Sequence, residues 1–132
     1  METKFNFNSA ICTDVSQSRR LLALGLKKDT ADMHHWESEG KIYTYVGQMG
    51  DPNGIPAWSL HRLIVLLPVY IVVPSSSGLN PNFYLTIRDG IVSYKDSRGF
   101  TYGSTSGNMY DAIMRMMAFL IKEGYFNKEY LV

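Results

Sequence analysis

The spacing of apolar residues switches between a period of three to four and a period of two, and this divides the chain into helices and strands. Thr13 and Asp14 precede a run of good helix formers up to Leu24, and Asp14 with Gln17 three positions on has capping-box spacing. A first helix is therefore predicted at 14–24. Gly25 stops it, and Leu26 folds back onto Leu21 and Leu22 as in a Schellman-type end. Over 41–46, Ile42, Thr44 and Val46 alternate with Tyr43 and Tyr45, a strand with one aliphatic and one aromatic face, both expected to be partly covered. Gly47, Gly50 and Asp51-Pro52-Asn53-Gly54 read as a loop. Pro56, at home in a first helical turn, and Pro68 bracket a second helix at 57–67, with Leu60, Leu63, Ile64 and Leu67 on one stripe.

The second half is mostly strand. Val69 to Val73 is β-branched apart from Tyr70 and is closed by Pro74, which suits a short buried strand. Two alternating runs, 82–88 and 91–96, flank Asp89-Gly90, a dipeptide that favours a type I′ hairpin because both residues accept positive φ. Pairing Arg88 with Ile91 turns Phe83, Leu85, Ile87, Val92 and Tyr94 to the core and Tyr84, Thr86, Arg88, Ser93 and Lys95 outward. Asp96-Ser97-Arg98-Gly99 is a second turn leading to a third strand at 100–103. The hydroxyl-rich runs 75–77 and 104–106 read as loops. Asn108 caps a last helix over 109–123 that ends at Gly124, with Met109, Ile113, Met116, Met117 and Leu120 on its apolar stripe. The class is α+β: an antiparallel sheet with a three-strand meander packed by about three helices, in the order α-β-α-(β)-β-β-β-α.

Composition narrows the function classes. The 132 residues are 45% hydrophobic, with nine Tyr, six Phe and two Trp, enough for one folded domain over 1–132. A net charge of +1 argues against a dedicated phosphate binder, although it is a sum of patches. Residues 1–28 hold five basic and two acidic side chains, 29–60 one and five, and 61–132 seven and five. The single cysteine, Cys12, excludes an intramolecular disulfide and a multi-cysteine zinc site, and with the absence of a leader pattern suits the cytoplasm. The most apolar stretch, 63–73, is about half the roughly 20 residues a spanning helix needs and contains Pro68, so no membrane role is expected.

Chemistry is sparse. Asp32, His34, His35 and Glu37, with Glu39 beyond, offer ligand types suited to zinc or iron, but adjacent histidines diverge on a strand and no HExxH fixes a geometry. Cys12 with His61 is a nominal nucleophile and base. No nucleotide-binding or hydrolase motif is present, and no cofactor is expected. Arg19, Arg20, Lys27 and Lys28 gather around the end of the first helix, where cations also suit the helix dipole. Tyr84, Tyr125, Phe126 and Tyr130 are candidates for a partner surface, the last three with folding back over the chain's own core as the alternative. The order of helix, meander and helix is similar to that of double-stranded-RNA-binding domains, yet Ser106 to Asp111 lacks the lysines that grip phosphates there.

Thr30-Ala31-Asp32-Met33, Ile55-Pro56-Ala57-Trp58-Ser59-Leu60, Leu66-Leu67-Pro68 and the helix from Asp111-Ala112-Ile113 together resemble small proteins of Bacteroidales bacteria and of their phages and mobile elements. The resemblance spans most of the chain and implies an intracellular, phage-related setting, with no activity or cofactor to carry over. The expected function is a non-catalytic interaction module with an unknown macromolecular partner, two copies of the chain pairing being one form of it. A weak nucleic-acid binder using Arg19, Arg20, Lys27 and Lys28 is the first alternative. A metal-dependent hydrolase, with His34, His35 or His61 meeting carboxylates in a cleft, is the second.

Overall fold

The computed structural model of the chain describes residues 10–47 and 54–132, so the amino-terminal stretch and most of the expected 47–54 loop lie outside the described residues. Helix α1 (Val15–Ala23) starts at its capping box: the Asp14 carboxylate accepts the Gln17 N–H at 2.7 Å, and the Gln17 side chain accepts the Asp14 N–H at 3.0 Å. Beyond Gly25 the Leu26 N–H returns to the Leu21 carbonyl, and both leucines are fully buried.

Strands β1 (Met33–Ser38), β2 (Lys41–Val46) and β3 (Ile55–Ala57) form an antiparallel sheet in the order β2-β1-β3. Glu39 and Gly40, at φ of 53° and 76°, make the two-residue turn between β1 and β2. The phase of the ladder follows from the Gly47 N–H, which donates to the Asp32 carbonyl at 2.7 Å, and from Cα pairing of His34 with Tyr45 and Trp36 with Tyr43. Backbone polar groups alternate in direction along a strand. Lys41, Tyr43 and Tyr45 therefore bond to β1, whereas Ile42, Thr44 and Val46 direct theirs away from it.

The same phase explains a correction. Pro56 lies within β3 and not in a helix, and helix α2 (Leu60–Leu66) begins only after Ser59, whose hydroxyl accepts the Arg62 N–H at 3.2 Å. Pro56 stands opposite His34, which spends its backbone groups on β2, so the proline nitrogen faces the outer edge where no ladder bond is lost.

The second sheet is a meander, β4 (Tyr70–Val72), β5 (Asn82–Arg88), β6 (Ile91–Lys95) and β7 (Thr101–Ser106), paired antiparallel in chain order. Asp89 and Gly90 at φ of 53° and 76° close the β5–β6 hairpin with Arg88 opposite Ile91, as expected. Phe83, Val92 and Tyr94 are buried on its inner face. Ser93, expected outward, is buried between its cross-strand neighbours Thr86 and Ser104. Ser104, Thr105 and Ser106, expected in a loop, belong to β7. Their strand continues past a bulge at which Tyr102 and Gly103 together oppose Tyr94, with Gly103 at φ +79°.

Asn108 caps helix α3 (Met109–Glu123), accepting the Asp111 N–H at 3.0 Å, and Gly124 ends it in the left-handed region. Ala112, Ile113, Met114, Met116, Met117 and Leu120 are buried as the helix packs on β6, β7 and α2. The Thr105 hydroxyl ties strand to helix through the Ala112 carbonyl at 2.6 Å. The tail folds back: Leu131 bridges Leu26, and the Lys27 N–H donates to the Tyr130 carbonyl at 2.8 Å.

Two carboxylates fix turns and caps. Asp96 sits at the β6–β7 turn with its side chain buried, accepting from the Arg98 and Phe100 N–H groups at 2.9 Å and from the Arg98 guanidinium at 3.0 Å. Burial pushes its carboxyl up, but these bonds outweigh it and hold the group below the usual carboxylate value. The side-chain amide of Gln17, then Asn108 and Arg20, lower that of Asp111. A carboxyl depressed in the folded chain binds fewer protons there than in the unfolded one, so it stabilises above about pH 4 and that contribution fades as the pH falls further. The melting temperature is expected to drop below about pH 4, and Asp96→Asn with Asp111→Asn to flatten that drop in a pH series of thermal melts.

Candidate interaction surface

The first sheet has one anchored end and one open end. At the anchored end Met33, His35 and Ala57 point into the protein. The His35 Nε2–H donates to the Thr13 carbonyl at 2.7 Å, and Nδ1 shares a hydrogen bond of 2.9 Å with the Thr44 hydroxyl. The Trp58 ring, fully buried, donates its Nε1–H to the Thr30 hydroxyl at 2.9 Å. The Asp32 carboxylate accepts the Ser59 N–H and hydroxyl, which fixes the entry to α2.

At the open end all of β2 is exposed, which corrects the expectation that both its faces are partly covered. Ile42 is 56% exposed, Tyr43 45%, Tyr45 48% and Val46 86%. His34, Trp36, Tyr43 and Tyr45 share one face, because directly paired residues point the same way. The His34 ring stacks on Tyr45 at 5.3 Å and donates through Nδ1 to the Gly47 carbonyl at 2.7 Å. A shallow depression of about 400 Å³ is lined by His34, Trp36, Tyr45 and Val46. On the other face Ile42 and Val46 flank Thr44. Single-residue chemistry drew attention to His34 and His35 in the sequence. The exposed group instead comprises Ile42, Tyr43, Tyr45 and Val46, with half-buried Trp36 beside it, and the sequence signal for those four was the strict alternation over 41–46.

The candidate metal ligands are not brought together. His34 and His35 lie on opposite faces, His35 is committed to Thr13 and Thr44, Asp32 to Ser59, and Glu37 is exposed beside the β1–β2 turn. Among the described residues no three His, Cys, Asp or Glu side chains form a group able to hold a metal. Cys12 lies 3.9 Å from His35, not beside His61, and burial, with Asp32 and Asp14 nearby, pushes its thiol up. The His35 nitrogen facing it already donates to a carbonyl and has no lone pair to take the thiol proton.

Arg19, Arg20, Lys27 and Lys28 are all exposed, and Arg20 is partly neutralised by Asp111 at 3.0 Å. Arg20 and Arg115 flank an apolar groove of about 320 Å³ floored by Leu24, Met114 and Ala118. Tyr84 is outward as expected, 48% exposed and 6.0 Å from the Tyr70 ring. Phe126 is corrected: it is buried in the core, and Tyr125 and Tyr130 are half-buried, Tyr125 edge-on to Tyr102 at 5.8 Å and Tyr130 against Phe126 at 6.0 Å. The tail covers its own core, with Leu131 bridging Leu26.

No protein-family model matches the chain, and no curated protein or solved structure matches it. Among the described residues no helix is long and apolar enough to cross a membrane.

Proposed function

We propose that the chain is a non-catalytic interaction module, in a phage or mobile-element setting, that engages a protein partner through the open end of its first sheet. The observation that carries this reading is the exposure of all six residues of β2, four of them large and apolar or aromatic. Tyr and Trp are enriched at interfaces because they bury large area at little entropic cost, and a contiguous exposed patch of this kind marks a contact surface. Glu37 and Glu39 stand around the β1–β2 turn beside Lys41. That local charge disfavours a polyanion and favours a protein.

The test is affinity capture with immobilised wild-type chain and with the Tyr43→Ser/Tyr45→Ser variant, followed by amide exchange on the captured complex. Protein retained by the wild type and lost with the variant, together with slowed exchange at Ile42, Thr44 and Val46, is the expected result. Equal retention by both chains, or protection confined to α1 and α3, would overturn the reading.

A further inference from the structure

The edge of β2 is built to pair, and its sequence says with what. Among the described residues β2 bonds to β1 alone, leaving the N–H and C=O groups of Ile42, Thr44 and Val46 directed outward. Natural sheets blunt such edges with proline, bulges, inward-pointing charges or edge charges, lysine above all. Lys-Ile-Tyr-Thr-Tyr-Val contains no proline, runs in unbroken register with β1, and carries its one charge at its first position.

From this edge, and resting on the interaction reading above, we propose that the partner is a second copy of this chain, joined by antiparallel pairing of β2 with its twofold mate about Thr44. That register places Ile42 opposite Val46 of the second copy, Thr44 opposite Thr44, and Val46 opposite Ile42. Every outward group on one copy then meets a donor or acceptor on the other. The side chains agree on both faces. Tyr43 falls opposite Tyr45 of the other copy, so four tyrosines meet at the centre of the aromatic face, continuous with His34 and Trp36. On the opposite face the aliphatic residues meet each other on either side of the threonine pair. Aromatic, aliphatic and Thr–Thr cross-strand pairs are each favourable, and no like charges stand opposite one another. A one-residue slip would turn the bonding groups out of phase and set aromatic against aliphatic faces. Each copy contributes β2-β1-β3, so the joined sheet runs without a break from β3 of one copy to β3 of the other.

The register is testable by charge exchange at two exposed positions. In Ile42→Lys/Val46→Lys, each lysine faces a lysine of the other copy. In Ile42→Lys/Val46→Glu, each lysine faces a glutamate, while within one chain the two side chains stay four residues apart along the strand. Sedimentation equilibrium from micromolar to submillimolar concentration, with far-ultraviolet circular dichroism to confirm that both variants fold, is expected to show twice the chain mass for the wild type. The double-lysine variant is expected at the mass of one chain and the lysine–glutamate variant back at twice it. A wild type that stays at one chain mass overturns the pairing. So does a double-lysine variant that stays at twice it, or a lysine–glutamate variant that fails to recover. A wild type of one chain mass that still retains another protein through Tyr43 and Tyr45 overturns the pairing while leaving the interaction reading intact, whereas loss of both results removes both.

Discussion

Trp58→Ala is expected to cost about 3–5 kcal/mol of folding stability, the range for removing a large buried aromatic. The indole is fully buried at the point where the first sheet, α1 and α2 converge. Its backbone is held on both sides, the Thr13 N–H donating to the Trp58 carbonyl at 2.9 Å and the Trp58 N–H to the Thr13 hydroxyl at 3.1 Å. Alanine would leave a void in the core that Trp58 shares with Leu63 and Leu66 and remove the donor on the Thr30 hydroxyl, adding an unpaired acceptor to the lost packing. Set against a typical total of about 5–15 kcal/mol, that is a large fraction. Trp58→Phe keeps most of the ring volume and is expected to lose about 1–2 kcal/mol, mainly the indole bond. Urea unfolding followed by circular dichroism distinguishes them, and Leu79→Ala, at an exposed position away from the first sheet, is expected to stay within about 0.5 kcal/mol of wild type. A Trp58→Ala midpoint close to that of Leu79→Ala would show that the indole is not a keystone of the core.

Gly103→Ala is expected to cost about 2–4 kcal/mol through a different mechanism, combining left-handed backbone strain with overpacking. The residue forms the β7 bulge at φ +79°, and a Cβ there would stand 2.7 Å from a ring carbon of Phe119. That ring cannot simply swing away, since it packs against Tyr102 at 5.7 Å, and Tyr102 in turn packs against Phe83 and Tyr125. The side chain therefore pushes on the contact that seats α3 over the second sheet. Phe119→Ala in the same chain removes the clash and leaves the backbone strain, so the double variant should lose less than the two single losses added together. Strict additivity would mean the ring and the bulge do not touch in solution.

The legible parts of this fold are those where one residue type has one physical use. Asp89-Gly90 accepts positive φ at both places and so specified the hairpin and its register; Asp14, Asn108 and Gly124 have few roles besides ending a helix. Pro56 has two: its missing N–H is harmless in a first helical turn and equally harmless on the outer side of an edge strand, and the local sequence does not choose between them. Strand β1 was hidden because its inward positions are Met33 and His35, and the burial of a histidine that finds both partners breaks the apolar alternation by which strands are recognised. The exposed strand β2 was half legible. Alternation over 41–46 assigned two faces correctly, but whether a face is covered depends on which elements approach it, and that information is not local. For Phe126 the apolar side chain after a helix end fitted a partner surface and a fold-back tail alike, and the structure, with Leu131 bridging Leu26, takes the second.

Pro56 also bears on the size of the pair proposed above. An edge that pairs with its own copy is exposed to the hazard of adding strand after strand into a fibre. In this chain the two borders of the first sheet differ. The β2 border offers both donors and acceptors, while on the β3 border the one residue directed outward, Pro56, has no N–H to give. Pairing through β2 is isologous and uses up the competent border of both copies at once, leaving a donorless border at either end. The proline of β3 would thus act as a chain terminator for self-association, permitting a closed pair and denying a polymer.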